Sequence, residues 1–206
     1  MRLELVLRSN QEILSFLTNL SAALSLFLVQ FFKRFFGRRE KLILAVWVVA
    51  CLIVFGYAVF LSYNQFIIWL TNPLSKYLLP PYQSINYFLF YVFGKFFATS
   101  LLSLFIGLFF FGVVGRLNKK YDGRFFEVEE PYLAGLGIFL SGHPGWLVYL
   151  TILIFFYLSL HLVRRLKGER NARVPLYHLW IPTALFVILI NEFWLSRAFW
   201  WGLLKM

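Results

Sequence analysis

The chain has 206 residues, 61% of them hydrophobic and 14% charged, and its mean hydropathy is +0.74. A soluble domain is about 45–50% apolar and about 25% charged, so a soluble fold of this size could not bury so much apolar surface. The formal net charge of +11 lies mainly at the ends of apolar runs rather than in a soluble basic region, so nucleic acid is not an expected partner. The composition predicts an integral membrane protein without a cofactor.

The apolar runs predict an all-α, polytopic integral membrane bundle with five or six membrane-embedded helices in one transmembrane domain, residues 1–206. A helix needs about 20 apolar residues to cross about 30 Å of hydrocarbon. The expected helices cover approximately residues 4–36, 42–63, 84–115, 126–142, 146–165 and 174–200.

The first uncharged run, residues 13–32, is open to two interpretations. Polar or small residues recur along one face of a long helix that begins near Glu4. A spanning helix would pack that face against its neighbours, whereas an amphipathic helix would lie in the membrane interface. The spanning arrangement is favoured and gives six helices; the interfacial one gives five.

The clearest spans are residues 42–63 and 96–115, which contain no charged residue. Residues 64–81 are expected to break the helix between them, with turn signals at Asn72-Pro73 and Pro80-Pro81. Lys95 lies at the mouth of the second span, where it can extend to the lipid head groups. Three aromatic residues of the break suit a membrane-surface belt: Trp69, Tyr77 and Tyr82.

Residues 125–163 are expected to form a helical hairpin with a turn at His143-Pro144-Gly145. Its first arm, residues 131–142, is short and can end partway across the membrane as a re-entrant element covered by other helices. The last span, residues 174–190, is interrupted by Pro175 and Pro182. The tail beyond it contains three tryptophans and is expected to anchor at the interface.

Basic residues predict the orientation of the chain. The connectors 33–41, 116–130 and 164–173 hold 5, 4 and 5 of the 20 Lys and Arg residues, so they are expected to face the cytoplasm. Anionic membrane lipids are the expected partners, together with other membrane-protein subunits. The candidate head-group contacts are Arg38, Arg39, Lys119, Lys120, Arg164 and Arg165.

The densest polar feature is an acidic cluster, Glu127, Glu129 and Glu130, directly before Pro131. Acidic residues and proline are both typical of a helix start, where they suit the positive end of the helix dipole. A cation site or a general acid–base pair is the alternative. At helical spacing Glu127 and Glu130 would share one face of the helix.

Residues 129–140, Glu-Glu-Pro-Tyr-Leu-Ala-Gly-Leu-Gly-Ile-Phe-Leu, resemble the helix that follows the Gly-x-Gly-Asp motif of prepilin peptidases. The resemblance extends at most over residues 127–190 and implies that Glu129 replaces the catalytic aspartate. The chain departs from that family in having Phe126-Glu127-Val128 in place of Gly-x-Gly, no zinc-type cysteine pairs, and Asp122 as its single aspartate. The second catalytic aspartate of prepilin peptidases has no counterpart in an earlier helix of this chain, so the chain is not assigned to that family.

Three further polar residues are candidates for a site. His143 lies in the hairpin turn, where a structural role competes with a catalytic or ligand role. Lys95 and Glu192 are the expected intramembrane polar residues, and Glu192 either is functional or pairs with Arg197 or Lys95 at the outer surface. No pair of histidines has metal-ligand spacing on one helix, so no metal site is expected.

These observations favour a membrane-embedded scaffold or assembly subunit without catalytic activity of its own. One alternative is a membrane-embedded enzyme acting at the cytoplasmic face on an anionic lipid head group or a tethered peptide, with the acidic cluster and His143 as its candidate residues. A small transporter is the other alternative, supported by helices interrupted by proline and glycine.

Overall fold

The computed structural model describes residues 16–17, 19–24, 27, 39–121, 123, 126–167, 176–197, 201 and 204, and the described part of the chain contains helices and no strand. The helices are α1 (Arg39–Thr71), α2 (Ile85–Val92), α3 (Ala98–Lys120), α4 (Glu130–Ser141), α5 (Gly145–Leu166) and α6 (Trp180–Phe193). A π-helical segment, Phe93–Phe97, joins α2 to α3, and short 3-10 turns cover Ser75–Leu78 and Leu195–Arg197. The all-α prediction is confirmed.

Three of the described helices are long and apolar enough to cross a membrane: Lys41–Thr71, Ile85–Lys120 and Gly145–Leu166. The helix Trp180–Phe193 is apolar but shorter. The expected first helix, residues 4–36, lies mostly outside the described residues, although the described ones among residues 16–27 are helical. The question of whether residues 13–32 span the membrane or lie in the interface therefore concerns residues that mostly lie outside the described part.

The expected break after residue 63 is wrong, because α1 continues to Thr71. No glycine or proline interrupts residues 57–72, so Asn64 and Gln65 continue the helix. The helix ends where the sequence has Asn72-Pro73, and the Asn72 side-chain Oδ1 accepts hydrogen bonds from the backbone N–H of Leu74 (3.0 Å) and Ser75 (3.4 Å). The turn predicted at Asn72-Pro73 is therefore correct. Asn64 and Gln65, which were expected to begin the break, are part of the helix.

The hairpin predicted over residues 125–163 is a helix–turn–helix: α4 ends at Ser141 and α5 begins at Gly145. Gly142 has φ +65°, a conformation that suits glycine. The expected helix start at residue 126 is four residues early, since α4 begins at Glu130 with Pro131 in its first turn. Pro182 likewise lies in the first turn of α6, where its missing N–H breaks no helical hydrogen bond.

The described side chains form two separate apolar cores. The first surrounds α4, and we call α3 to α6 with the first half of α1 the bundle. The second lies at the far end of the α1–α3 hairpin, and we call residues 64–95 the head. The head core contains Trp69, Leu79, Phe88 and Val92, with Ala58, Leu61 and Phe96 at its base.

Candidate functional site

The short helix α4 is enclosed by the rest of the bundle. Eleven of its twelve residues are buried, whereas the longer helix α3 beside it buries three of its 23 residues. It packs against α1, α3, α5 and α6. A helix of 12 residues is about 18 Å long, which is too short to cross about 30 Å of hydrocarbon. Its two polar ends are therefore the candidate sites of the molecule.

Two glycines allow α4 to approach α3 closely. A Cβ added at Gly107 would lie 2.6 Å from the carbonyl oxygen of Gly135, and one added at Gly135 would lie 2.7 Å from that of Gly107. The rings of Phe111 and Tyr132 meet one turn further along, with centroids 4.8 Å apart. This register makes the two helices antiparallel. Close backbone contact at small residues is a common way in which membrane helices associate.

A third glycine makes room for a tyrosine that connects three helices. A Cβ at Gly137 would fall on the Tyr149 hydroxyl of α5. That hydroxyl is fully buried and donates a hydrogen bond to the backbone oxygen of Trp180 at the start of α6, at 3.2 Å. The glycines of α4 therefore determine which faces of α3 and α5 it contacts.

The acidic cluster lies at the first end of α4, and its three carboxylates have different surroundings. Glu130 is 2% exposed, Glu129 is half-buried at the helix N-cap, and Glu127 is exposed. The helical spacing that would place Glu127 and Glu130 on one face does not extend to Glu127, because the helix begins at Glu130. The paired face expected from the sequence is therefore wrong, and Glu130 is the carboxylate that the fold encloses.

His143 lies at the other end of α4, where it is held by two hydrogen bonds. The Trp146 indole Nε1 donates to His143 Nδ1 at 3.1 Å, so the ring proton is placed on Nε2, which lies 2.9 Å from the backbone oxygen of Leu204. Both nitrogens of this neutral tautomer are thus occupied. This arrangement suits a structural connection between the hairpin turn and the C-terminal segment.

Trp201 also belongs to this end of the molecule. It is 1% exposed, and its indole N–H donates to the side-chain oxygen of Asn191 at 2.7 Å. Trp194 is 76% exposed, and Trp200 lies outside the described residues. Trp201 is therefore buried within the protein, whereas Trp194 is exposed.

The structure does not bring the candidate acid–base residues together. Glu130 and His143 lie at opposite ends of α4, about 18 Å apart along its axis. Ser141, two residues before His143, donates its hydroxyl to the backbone oxygen of Gly137 at 2.7 Å instead of to an imidazole. Within the described ranges no three His, Cys, Asp or Glu side chains are grouped so that they could hold a metal ion.

The remaining polar candidates are dispersed. Lys95 is exposed at the base of the head, and Glu192 is half-buried in α6. Among the described residues neither Lys95 nor Arg197 forms an ion pair, so the expected pairing of Glu192 with them is not present. Lys119, Lys120 and Arg165 are exposed and Arg164 is half-buried, whereas Arg38 and the side chain of Arg39 lie outside the described part.

One apolar cavity of about 390 Å³ lies between the helical residues 19–22 and α1. Its walls are aliphatic side chains and alanines, with Asn19 and Ser21 as its polar lining. Such a lining offers neither a nucleophile with an adjacent base nor a carboxylate pair.

Comparison with known proteins adds no family: no family model, no curated protein and no solved structure matches the chain.

Proposed function

We propose that this chain is a membrane-embedded scaffold or assembly subunit whose head binds another membrane-protein subunit. The single observation that supports it is the exposed apolar surface of the head. Leu74 and Phe90 are each 81% exposed and Tyr82 is 63% exposed, although the head has a buried core of its own. Large exposed apolar patches are typical of interaction sites.

The length of the hairpin supports a position of this surface beyond the hydrocarbon of the bilayer. Helix α1 has 33 residues and is about 50 Å long, compared with about 30 Å of hydrocarbon. When Lys41 and Arg116 lie at one membrane face, the hydrocarbon ends near Tyr63 and Lys95, and the head extends past it. In this placement the lipid hydrocarbon does not cover Leu74, Tyr82 or Phe90.

The composition of the head favours a protein partner with an apolar surface. Residues 64–95 contain Lys76 and Lys95 and no acidic residue. The cores of protein interfaces are depleted of charged residues and enriched in Tyr, Trp and Phe. The partner surface is accordingly aromatic or aliphatic, with acidic groups at its rim opposite Lys76.

The rest of the proposed topology assumes the same placement, with Lys41 and Arg116 at one membrane face. The basic connectors 33–41, 116–130 and 164–173 face the cytoplasm, α4 and α5 form a re-entrant hairpin that enters from that side, and anionic lipids contact Lys119, Lys120 and Arg165. Supporting this, α4 is antiparallel to α3, so that Glu130 lies near the basic end of α3 and Gly142 lies well inside the span.

Site-specific photo-crosslinking tests the scaffold proposal. A photoreactive phenylalanine analogue at position 90 should produce a discrete product with one protein, whose abundance also falls in cells lacking this chain. The matched control is position 105, a phenylalanine that is 70% exposed in the middle of the α3 span. Products with lipid alone at both positions would contradict a protein partner. A product with a second copy of this chain would show that the head mediates self-association instead of binding another subunit.

A second candidate function, a membrane enzyme or transporter using a carboxylate, is favoured by the burial of Glu130. Ionisable groups at membrane depth are costly and are often functional. Single Glu→Gln substitutions at 127, 129 and 130 separate the two candidates, scored by protein level and by the phenotype of the deleted gene. A scaffold tolerates all three, each costing at most about 1 kcal/mol of stability. Loss of function at Glu130 with normal protein levels would favour the enzyme or transporter, and loss confined to Glu129 would favour the prepilin-peptidase resemblance.

A further inference from the structure

A group of hydrogen-bond donors lies at the base of the head, at the level of the far membrane face. Lys95 lies on the same continuous helix as Arg116, about 30 Å from it along the axis, which equals the thickness of the hydrocarbon. Gln65 of α1 faces Lys95 across the hairpin. This level is therefore the head-group layer opposite the basic ends of the helices.

The Lys95 ammonium group is held in a defined position. It donates to the Gln65 side-chain oxygen at 3.0 Å and to the Tyr91 hydroxyl oxygen at 2.8 Å. It also lies over the rings of Tyr91 and Phe96, at 5.1 and 5.4 Å from their centroids. An ammonium group has three N–H donors, so one remains available on this exposed side chain.

The two residues that hold Lys95 have donors of their own to spare. Gln65 is 5% exposed, and because lysine accepts no hydrogen bond, the amide must direct its oxygen to Lys95. Its Nε2 then has no hydrogen-bond partner among the described residues. Tyr91 accepts from Lys95, which leaves its O–H proton free to donate. The three side chains together have donors that lack an acceptor.

The charge of this group also lacks a counterpart in the hairpin. The sequence contains no Asp or Glu between Glu40 and Asp122, and Lys95 forms no ion pair with a described residue. A cation held among donors, in a layer where lipid phosphates are abundant, has the chemistry of an oxyanion site.

We propose that Lys95, Tyr91 and Gln65 form a phosphate-binding site that takes the head group of an anionic phospholipid in the leaflet opposite the basic connectors. Lys95 and Tyr91 donate to the phosphate oxygens, and Gln65 is a positioning residue that orients the ammonium group. The site fixes the height of the hairpin in the bilayer.

Native mass spectrometry of the full chain in detergent, titrated with phosphatidylglycerol, tests the site. Lys95→Gln should weaken binding about tenfold and Tyr91→Phe about threefold, because each removes a donor to the phosphate. Lys76→Gln is the matched control: it removes the same charge from the head, and the described contact of Lys76 is with the ring of its neighbour Tyr77, at 5.4 Å. It should change binding less than about twofold.

Two further ligands identify the source of the phosphate. If inorganic phosphate displaces the lipid at millimolar concentration, the ligand of these donors is a free anion. If it does not displace the lipid, the ligand is the lipid head group. Equal binding of phosphatidylcholine and phosphatidylglycerol would overturn the proposal, because the charge of Lys95 would then have no part in recognition. Equal weakening by Lys95→Gln and Lys76→Gln would also overturn it.

Near-ultraviolet circular dichroism checks that the variants fold. If Lys95→Gln loses the native spectrum, the Tyr91→Phe variant decides the outcome, because it keeps the ring that packs 4.9 Å from Trp69. Unchanged binding by Tyr91→Phe would then contradict the site.

Discussion

The bundle and the head are built from the same apolar residue types, but they bury them differently. In the bundle, a short helix is enclosed by four others, and the closest contacts are made by glycines, at Gly107, Gly135 and Gly137. In the head, two helix ends bury aromatic rings against each other and leave other rings exposed. The bundle therefore depends on close backbone approach, and the head depends on side-chain volume.

The largest expected effect separates two tryptophans of the C-terminal segment, Trp194 and Trp201. Trp201→Ala removes a side chain that is 1% exposed together with its hydrogen bond to Asn191, and should cost about 4 kcal/mol. Trp194→Ala, at 76% exposure, should cost less than about 0.5 kcal/mol. Unfolding in SDS measures both values. Equal costs would mean that Trp201 is not buried against Asn191 of α6.

Two phenylalanines of α2, Phe88 and Phe90, test whether the head is a separate core. Phe88→Ala removes a ring that is 6% exposed and packs 5.3 Å from both Phe66 and Trp69, so it should cost about 3 kcal/mol. Hydrogen exchange should rise in the head and stay unchanged in α4 and α5, since no described residue belongs to both cores. Phe90→Ala should leave exchange unchanged in both. Faster exchange throughout α4 after Phe88→Ala would show that the two regions unfold together.

A glycine pair on α3 tests the role of backbone approach in the bundle. Gly107→Ala places a Cβ against the backbone of Gly135, which cannot yield as a flexible side chain can, so about 2 kcal/mol of stability should be lost. Gly112→Ala on the same helix meets nothing within 4 Å and should be neutral or slightly stabilising. The SDS unfolding midpoint compares the two variants. Tolerance of Gly107→Ala would argue against the close crossing of α3 and α4.

The smallest expected effect concerns the hydroxyl that connects α4, α5 and α6. Tyr149→Phe removes the hydrogen bond to the Trp180 backbone oxygen while keeping the ring, so it should cost about 1 kcal/mol. Tyr157→Phe on the same helix, where the side chain is 41% exposed, is the control and should be neutral. Thermal unfolding followed by tryptophan fluorescence distinguishes them. If Tyr149→Phe does not change the stability, the tyrosine stabilises the bundle by packing of its ring and not by its hydrogen bond.

The candidate site was only partly predictable. Pro131 after the acidic cluster correctly indicated a helix start, because proline suits the first turn whatever surrounds it. The burial of Glu130 beside the exposed Glu127 was not predictable, because it depends on which helices pack around the start of α4. The π-helical segment around Lys95 was missed as well, and no local composition signal identifies such a segment.

The sequence by itself determined the all-α class, the apolar character of the long helices, and the turns at Asn72-Pro73 and Gly142–Gly145. These features follow from composition and local backbone preferences, which each segment carries without its neighbours. The tertiary structure decided that α4 is enclosed, that Trp201 is buried while Trp194 is exposed, and that Gly107 meets Gly135. Each of these depends on contacts between segments distant in the chain, and a uniformly apolar sequence does not indicate which face of a helix meets protein and which meets lipid.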